Sequence, residues 1–272
     1  MTTLVDINAD LGESFGIWKL GNDEEFMPFV SSVNIACGWH AGDPHIMRRS
    51  VELALENGCG IGSHVGFPDK IGFGRRHLKI TPAELRDYIL YQTGALQAFV
   101  TSMGGRLQHI KPHGACYYLT AYSAEHGAAV AKALLELDDN LIMISSGPGG
   151  AAAREVGATV AWEGYVDLEY DANGDLMLER SVAPRDAKSV ADRTLKLVQD
   201  KVMPTVDGGQ FDLAVDTICL HGDSPTAVEV ARTVRERLAE GGVEVAPLYK
   251  HKLTTEKNQV VGSGSAMSKS AL

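Results

Sequence analysis

SVNIACGWHAGDPHIMRRSVELALENGCGIGS, residues 32–63, reads in order as strand, polar loop, helix, turn and strand. Residues 32–35 make the opening strand of this stretch. Residues 44–56 put Ile46, Met47, Val51, Ala54 and Leu55 on one face at helical spacing. Asp43 stands where a helix cap belongs, Pro44 takes the first helical position, and Asn57-Gly58 stops the helix. Residues 60–63 return as a strand. Two strands joined through a helix run parallel. The loop at residues 34–44 packs an amide (Asn34), a thiol (Cys37), an imidazole (His40) and a carboxylate (Asp43) around two glycines. That is the composition of a site rather than of a plain connection.

The same alternation extends both ways along the chain. Residues 4–8 read as an earlier strand. Thr81-Pro82-Ala83-Glu84 is a capping box that opens a helix to about residue 103. Further strands are expected at residues 107–111, 141–145, 159–163 and 216–220, with a last one at 243–247. Helices fit from Ser123 to residue 137, over 186–202 and over 225–239, and a short one follows Ser146-Gly147-Pro148-Gly149-Gly150. Seven or eight such units predict an α/β chain folded as a single-domain variant (β/α) barrel with seven or eight parallel strands over residues 1–253. Residues 254–272 are polar and Ser/Gly-rich and predict a flexible C-terminal tail.

Composition narrows the function classes. The chain has 272 residues, 44% hydrophobic and 22% charged, enough for a large core. Its formal charge of −10 and the lack of a Lys/Arg block disfavour nucleic-acid and anionic-membrane partners. No apolar run of membrane-spanning length and no leader-like N-terminus is present, and the four widely spaced cysteines form no Cys-x-x-Cys pair, so a cytoplasmic protein with reduced thiols is expected.

In a (β/α) barrel the chemistry sits at the C-terminal strand ends. Asn8, Asp10, Asn34, His64, Lys111, His113, Glu163, His221 and Asp223 all fall at or just past such ends. Asp6, Asn8 and Asp10 alternate along the first strand and so share its inner side; Asp6 can equally be a structural hydrogen bonder at the barrel bottom. His40 and His64 suit a metal ligand, an acid/base or a core histidine. Lys111 can hold a carboxylate or phosphate, or pair internally with Asp10 or Glu163. Asp223 can serve the site or cap the helix behind it. Arg75 and Arg76, after Phe73-Gly74, can clamp a substrate carboxylate. Cys37 and Cys116 read as small buried thiols, and Tyr88, Tyr91 and Phe99 as core. There is no P-loop; residues 145–150 offer only a faint phosphate signal.

The segments DINADLGESFG (6–16), NIACGWHAGDP (34–44), GSHVGFPDKIGFGRR (62–76), YQTGALQA (91–98), IKPHGACYY (110–118) and CLHGDSPTAV (219–228) resemble, in order, the LamB/YcsF family. That resemblance implies a variant barrel related to glycoside hydrolases and sugar deacetylases. It also implies lactam utilisation: hydrolysis of 5-oxo-L-proline to L-glutamate coupled to ATP, with magnesium, in an assembly with 5-oxoprolinase subunits B and C. The expected roles are Asp10 or His64 as base, with Lys111 and His113 stabilising developing charge. Asn8, Asn34, His40, Arg75, Arg76, Glu163, His221 and Asp223 are expected to bind substrate. After Glu163 the chain departs from the family pattern: Leu168 stands where an arginine is expected, and residues 177–181 are altered, while Asp167 and Tyr170 match. The alternatives are a metal-dependent deacetylase or amidohydrolase, with Asp10, His40 and His64 on the metal, or a non-catalytic small-acid-binding subunit.

Overall fold

A computed structural model describes residues 3–177, 183–251 and 253. The expected tail at 254–272 and most of the altered stretch at 177–181 lie outside them. Six parallel strands come first: β1 (Thr3–Leu11), β2 (Ser32–Ala36), β3 (Gly60–Val65), β4 (Leu107–Pro112), β5 (Ile142–Ser145) and β6 (Thr159–Tyr165). Two small antiparallel hairpins follow, β7 (Glu169–Tyr170) with β8 (Leu176–Met177), and β9 (Val202–Pro204) with β10 (Gln210–Asp212). β11 (Thr217–Cys219) then pairs with both β6 and β1 and closes a ring of seven strands. β12 (Val243–Val245) adds to the lower half of β1, at Thr3–Val5, beneath the stretch that holds β11. The eighth strand therefore borders the barrel rather than entering it.

The helices are α1 (Asp23–Phe26), α2 (Pro44–Asn57), α3 (Pro82–Ser102), α4 (Gly114–Tyr122), α5 (Ala124–Leu137), α6 (Gly147–Val156), α7 (Ala187–Asp200) and α8 (Ala227–Glu240). Their start signals act as the sequence predicts. Asp43 accepts from the His45 and Ile46 amides, and the Thr81–Glu84 capping box is formed. Four differences stand out. α4 was not expected, because His113 precedes it without any side-chain cap. The hairpins carry too few residues for a period to show. α8 begins at Ala227 with Thr226 before it, so Asp223 does not cap it. Tyr91 is 66% exposed, lying against Trp39 instead of entering the core.

Apolar side chains from the outward strand faces pack under the helices, with Ile7, Val33, Ile61 and Ile110 fully or almost fully buried. The ring's interior is polar instead. At its lower end Asp6 accepts from the hydroxyls of Ser31, Ser32 and Thr217, which makes it structural. Burial, against those three hydrogen bonds, still pushes its carboxyl up to about 6. Above it, Asn34 donates to Asn8 and Asp10 and accepts from the His109 ring. The strand register matches these levels, pairing Asp10 with Asn34, Asn34 with Gly62, and Gly62 with His109. Gly62 has to lack a side chain, since a Cβ there would lie 2.1 Å from the His109 ring.

Candidate active site

The upper end of the ring opens into a cavity of about 550 Å³. At its floor the fully buried Lys111 ammonium donates to Glu163 at 2.8 Å and to Asp10, Asn8 and Cys219 at 3.1 Å each. Alternation on β4 aims it inward. Burial alone would lower the Lys111 pKa, but Asp10 and its other neighbours outweigh this and hold it well above the ordinary lysine value. Burial likewise opposes ionisation of Asp10, and His64 and Lys111 overcome it, holding the carboxyl well below the usual range. Cys219 is pushed well up by burial and is a neutral thiol. Glu163 is fully engaged: one oxygen takes Lys111 and Asn8, and the other takes the Tyr165 hydroxyl at 2.7 Å.

Three histidines gather on one side of the floor. His64 lies 3.3 Å from Asp10 and hydrogen-bonds His113, ring nitrogen to ring nitrogen, at 2.9 Å. His40 stacks on His113 with centroids 3.8 Å apart and reaches Glu13 at 3.1 Å. Burial, then the neighbouring rings, push His40 and His113 well below the ordinary histidine value, so both are neutral at pH 7. Burial raises Glu13. The close packing depends on Gly66 and Gly74, where a Cβ would lie within 3 Å of the His40 ring or its Cβ.

On the opposite wall His221 bonds Asp167 through its ring at 3.0 Å and its amide at 2.7 Å. Burial would lower His221, but the Asp167 carboxylate dominates and raises it to about 9, so the ring is cationic at neutral pH. The Tyr165 ring stacks beside it. Arg75 lies at the rim, exposed, over the Phe73 ring, and forms no ion pair with a described residue. Leu168 also lines the cavity, and its carbonyl is held by Arg193.

The structure thus brings Asp10, His64, Lys111, His113, Glu163, His221, Asp223 and Arg75 to one cavity. Asn8, Asn34 and His40 are buried behind it and touch its lining side chains without lining it themselves. Arg76 pairs with Asp69 and does not line the cavity. Cys37 and Cys116 are buried thiols pushed up to about 12 by burial. Among the groups the sequence reading missed, Glu13 lies two residues past the end of β1 and meets the strand-end criterion. His109 shares the alternate-residue face of Lys111. Asp167 lies two residues beyond β6 and shows its role only through its contact with His221.

Known proteins resemble the chain over nearly its whole length. It is 46% identical to a Pyrococcus furiosus protein named as the A subunit of 5-oxoprolinase, over 90% of this chain and 97% of that one. A Bacillus cereus protein of the same name is 43% identical, over 89% and 98%. The crystal structure of a lactam utilization protein from Thermus thermophilus superposes with a TM-score of 0.83 at 39% identity, covering 90% of this chain and 99% of that one. The LamB/YcsF family pattern matches residues 5–253, and the chain belongs to that family.

Proposed function

We propose that this chain supplies the lactam-opening site of an ATP-dependent 5-oxoprolinase, converting 5-oxo-L-proline to L-glutamate with 5-oxoprolinase subunits B and C. The observation that carries this is the charge pattern of one cavity. The Lys111 and His221 cations face it beside the ionised Asp10, and Arg75 stands at its rim. The names of the relatives agree with it.

A five-membered lactam is a resonance-stabilised amide and a poor electrophile. Phosphoryl transfer from ATP to its carbonyl oxygen, with ADP leaving, makes the ring carbon attackable. Water then adds, the carbon–nitrogen bond breaks with the nitrogen leaving as the amine, and a second water hydrolyses the resulting acyl phosphate to the carboxylate and phosphate. Lys111 and His221 stabilise negative charge on the lactam oxygen and the phosphoryl group. Arg75 binds the substrate carboxylate. Asp10, oriented by Asn34 and Lys111, takes the proton of the attacking water, and activation by ATP lessens the base strength required. A cavity of about 550 Å³ is of the size that takes a drug-sized ligand, more than the lactam fills, so the transferring phosphoryl group fits as well. ATP arrives with magnesium, and the chain carries no P-loop, so the partners hold the rest of the nucleotide in this reading.

Incubating the chain with ATP and 5-oxoproline, with and without subunits B and C, tests this. Glutamate and ADP are expected from the complete assembly, and Asp10→Asn is expected to slow their formation by about 10²–10⁴-fold. No glutamate from the assembly overturns the reading; full activity of the variant removes Asp10 as the base.

A further inference from the structure

The contact between His64 and His113 poses a problem of proton count. His113 Nε2 is 2.7 Å from the Phe73 carbonyl oxygen, and His64 Nδ1 is 2.9 Å from the Lys111 carbonyl oxygen. Carbonyls only accept, so each of these nitrogens carries the hydrogen. The remaining ring nitrogens, His64 Nε2 and His113 Nδ1, then face each other at 2.9 Å with no hydrogen accounted for between them. Something positive has to lie between them, either a proton or a metal ion.

Two further donors decide between these. Glu13 Oε1 is 3.6 Å from His113 Nδ1 and 4.0 Å from His64 Nε2, and His40 Nε2 is 3.1 Å from the same carboxylate oxygen. Glu13, His40, His64 and His113 each bring one donor atom, and the four atoms lie within 4.8 Å of one another. A proton shared by two rings needs neither of the others. Nitrogens bound to a tetrahedral zinc-class ion stand ~3.3 Å apart, which falls among these spacings. The other nitrogen of His64 and of His113 is fixed by a backbone carbonyl, the outer support that metal-bound imidazoles require. His40 Nδ1 is buried with no hydrogen-bond partner, so the one polar contact of its ring nitrogens among the described residues is Nε2 with Glu13, itself a member of the set. The nearby group of Asp10, Cys219 and His221 differs, because the Lys111 ammonium already lies against both Asp10 and Cys219 and supplies its positive charge.

We infer that Glu13, His40, His64 and His113 form a binding site for a divalent transition-metal ion of the zinc class, at the edge of the cavity floor beside Asp10. Three imidazoles and one carboxylate suit such an ion and not the magnesium that accompanies a nucleotide, which prefers oxygen ligands and retains water. The site is independent of the lactam reading, since it is tested without substrate.

The test is equilibrium dialysis of the purified chain against Co²⁺, with metal content and the visible absorption of bound Co²⁺ as readouts. One ion per chain with a tetrahedral-type spectrum is expected. His64→Gln and the milder Glu13→Gln are each expected to weaken binding by more than ~10-fold and to change the spectrum. His45→Gln, on the exposed face of α2, is expected to leave both unchanged. Circular dichroism confirms that each variant is folded before loading. Absence of a stoichiometric ion in the wild type overturns the inference, as does equal binding by the wild type and both ligand variants.

Discussion

His221 shows how one neighbour sets a side chain's charge. Its pKa is raised to about 9 because the attraction of Asp167 exceeds the cost of burial. A histidine raised in the folded state stabilises the fold fully below its unfolded value of 6.5, and that contribution is lost as pH rises through about 9. Asp167→Asn therefore destabilises most near neutral pH and below. Denaturant unfolding from about pH 6 to about pH 10 should show the gap between wild type and variant closing at the alkaline end; a constant gap would contradict the assignment. Lys111 gives a second prediction. Lys111→Met leaves Asp10 and Glu163 facing each other without their cation, at a cost of ~3–5 kcal/mol in unfolding free energy near neutral pH. The loss should shrink in acid as Asp10 protonates. Lys111, His113 and Asp10 were legible in the sequence because alternation on a strand and position at its end both point inward. Asn8 and Asn34 obey the same alternation, yet sit one level too deep to reach the cavity. The pairing of Arg76 with Asp69 was not legible, because sequence proximity to Arg75 says nothing about the pull of Asp69.

At the scale of elements, the strand–helix units were legible wherever a cap and a helical apolar face coincide, as in α2 and α3. α4 was not, since its first turn carries no capping side chain and the preceding Lys-Pro-His reads as loop. The hairpins between β6 and β11 were not either. Their two- and three-residue strands show no period, and the two hairpins meet each other through the Tyr170 and Phe211 rings. Gly62 was legible only as a strand residue, although its role is steric: β3 passes where the His109 ring crosses the barrel. Gly62→Ala is expected to displace that ring, to cost ~1–3 kcal/mol, and to disturb the hydrogen bond from His109 to Asn34. Thermal unfolding gives the cost, and the His109 ring resonances report the displacement. Unchanged stability with an unmoved ring would show that β3 yields instead.

On the scale of the whole molecule, the barrel keeps its apolar layer between strands and helices and fills its centre with a hydrogen-bonded polar column. That column runs from Asp6 through Thr217, Asn8, Asn34 and Asp10 to Lys111. Because each member is bonded to the next, the groups at the cavity floor are held in place before a substrate arrives. Among the described residues no helix is long and apolar enough to cross a membrane. The expectation of seven or eight parallel strands is met by a ring of seven with an eighth at its lower rim. The central claim is that this one cavity is where the lactam binds and opens. A crystal structure of the chain soaked with 5-oxo-L-proline tests it most directly. The lactam is expected in the cavity, its carboxylate on Arg75 and its ring carbonyl oxygen toward Lys111 and His221. A lactam bound elsewhere, or a cavity left without it at saturating concentration, would contradict the account.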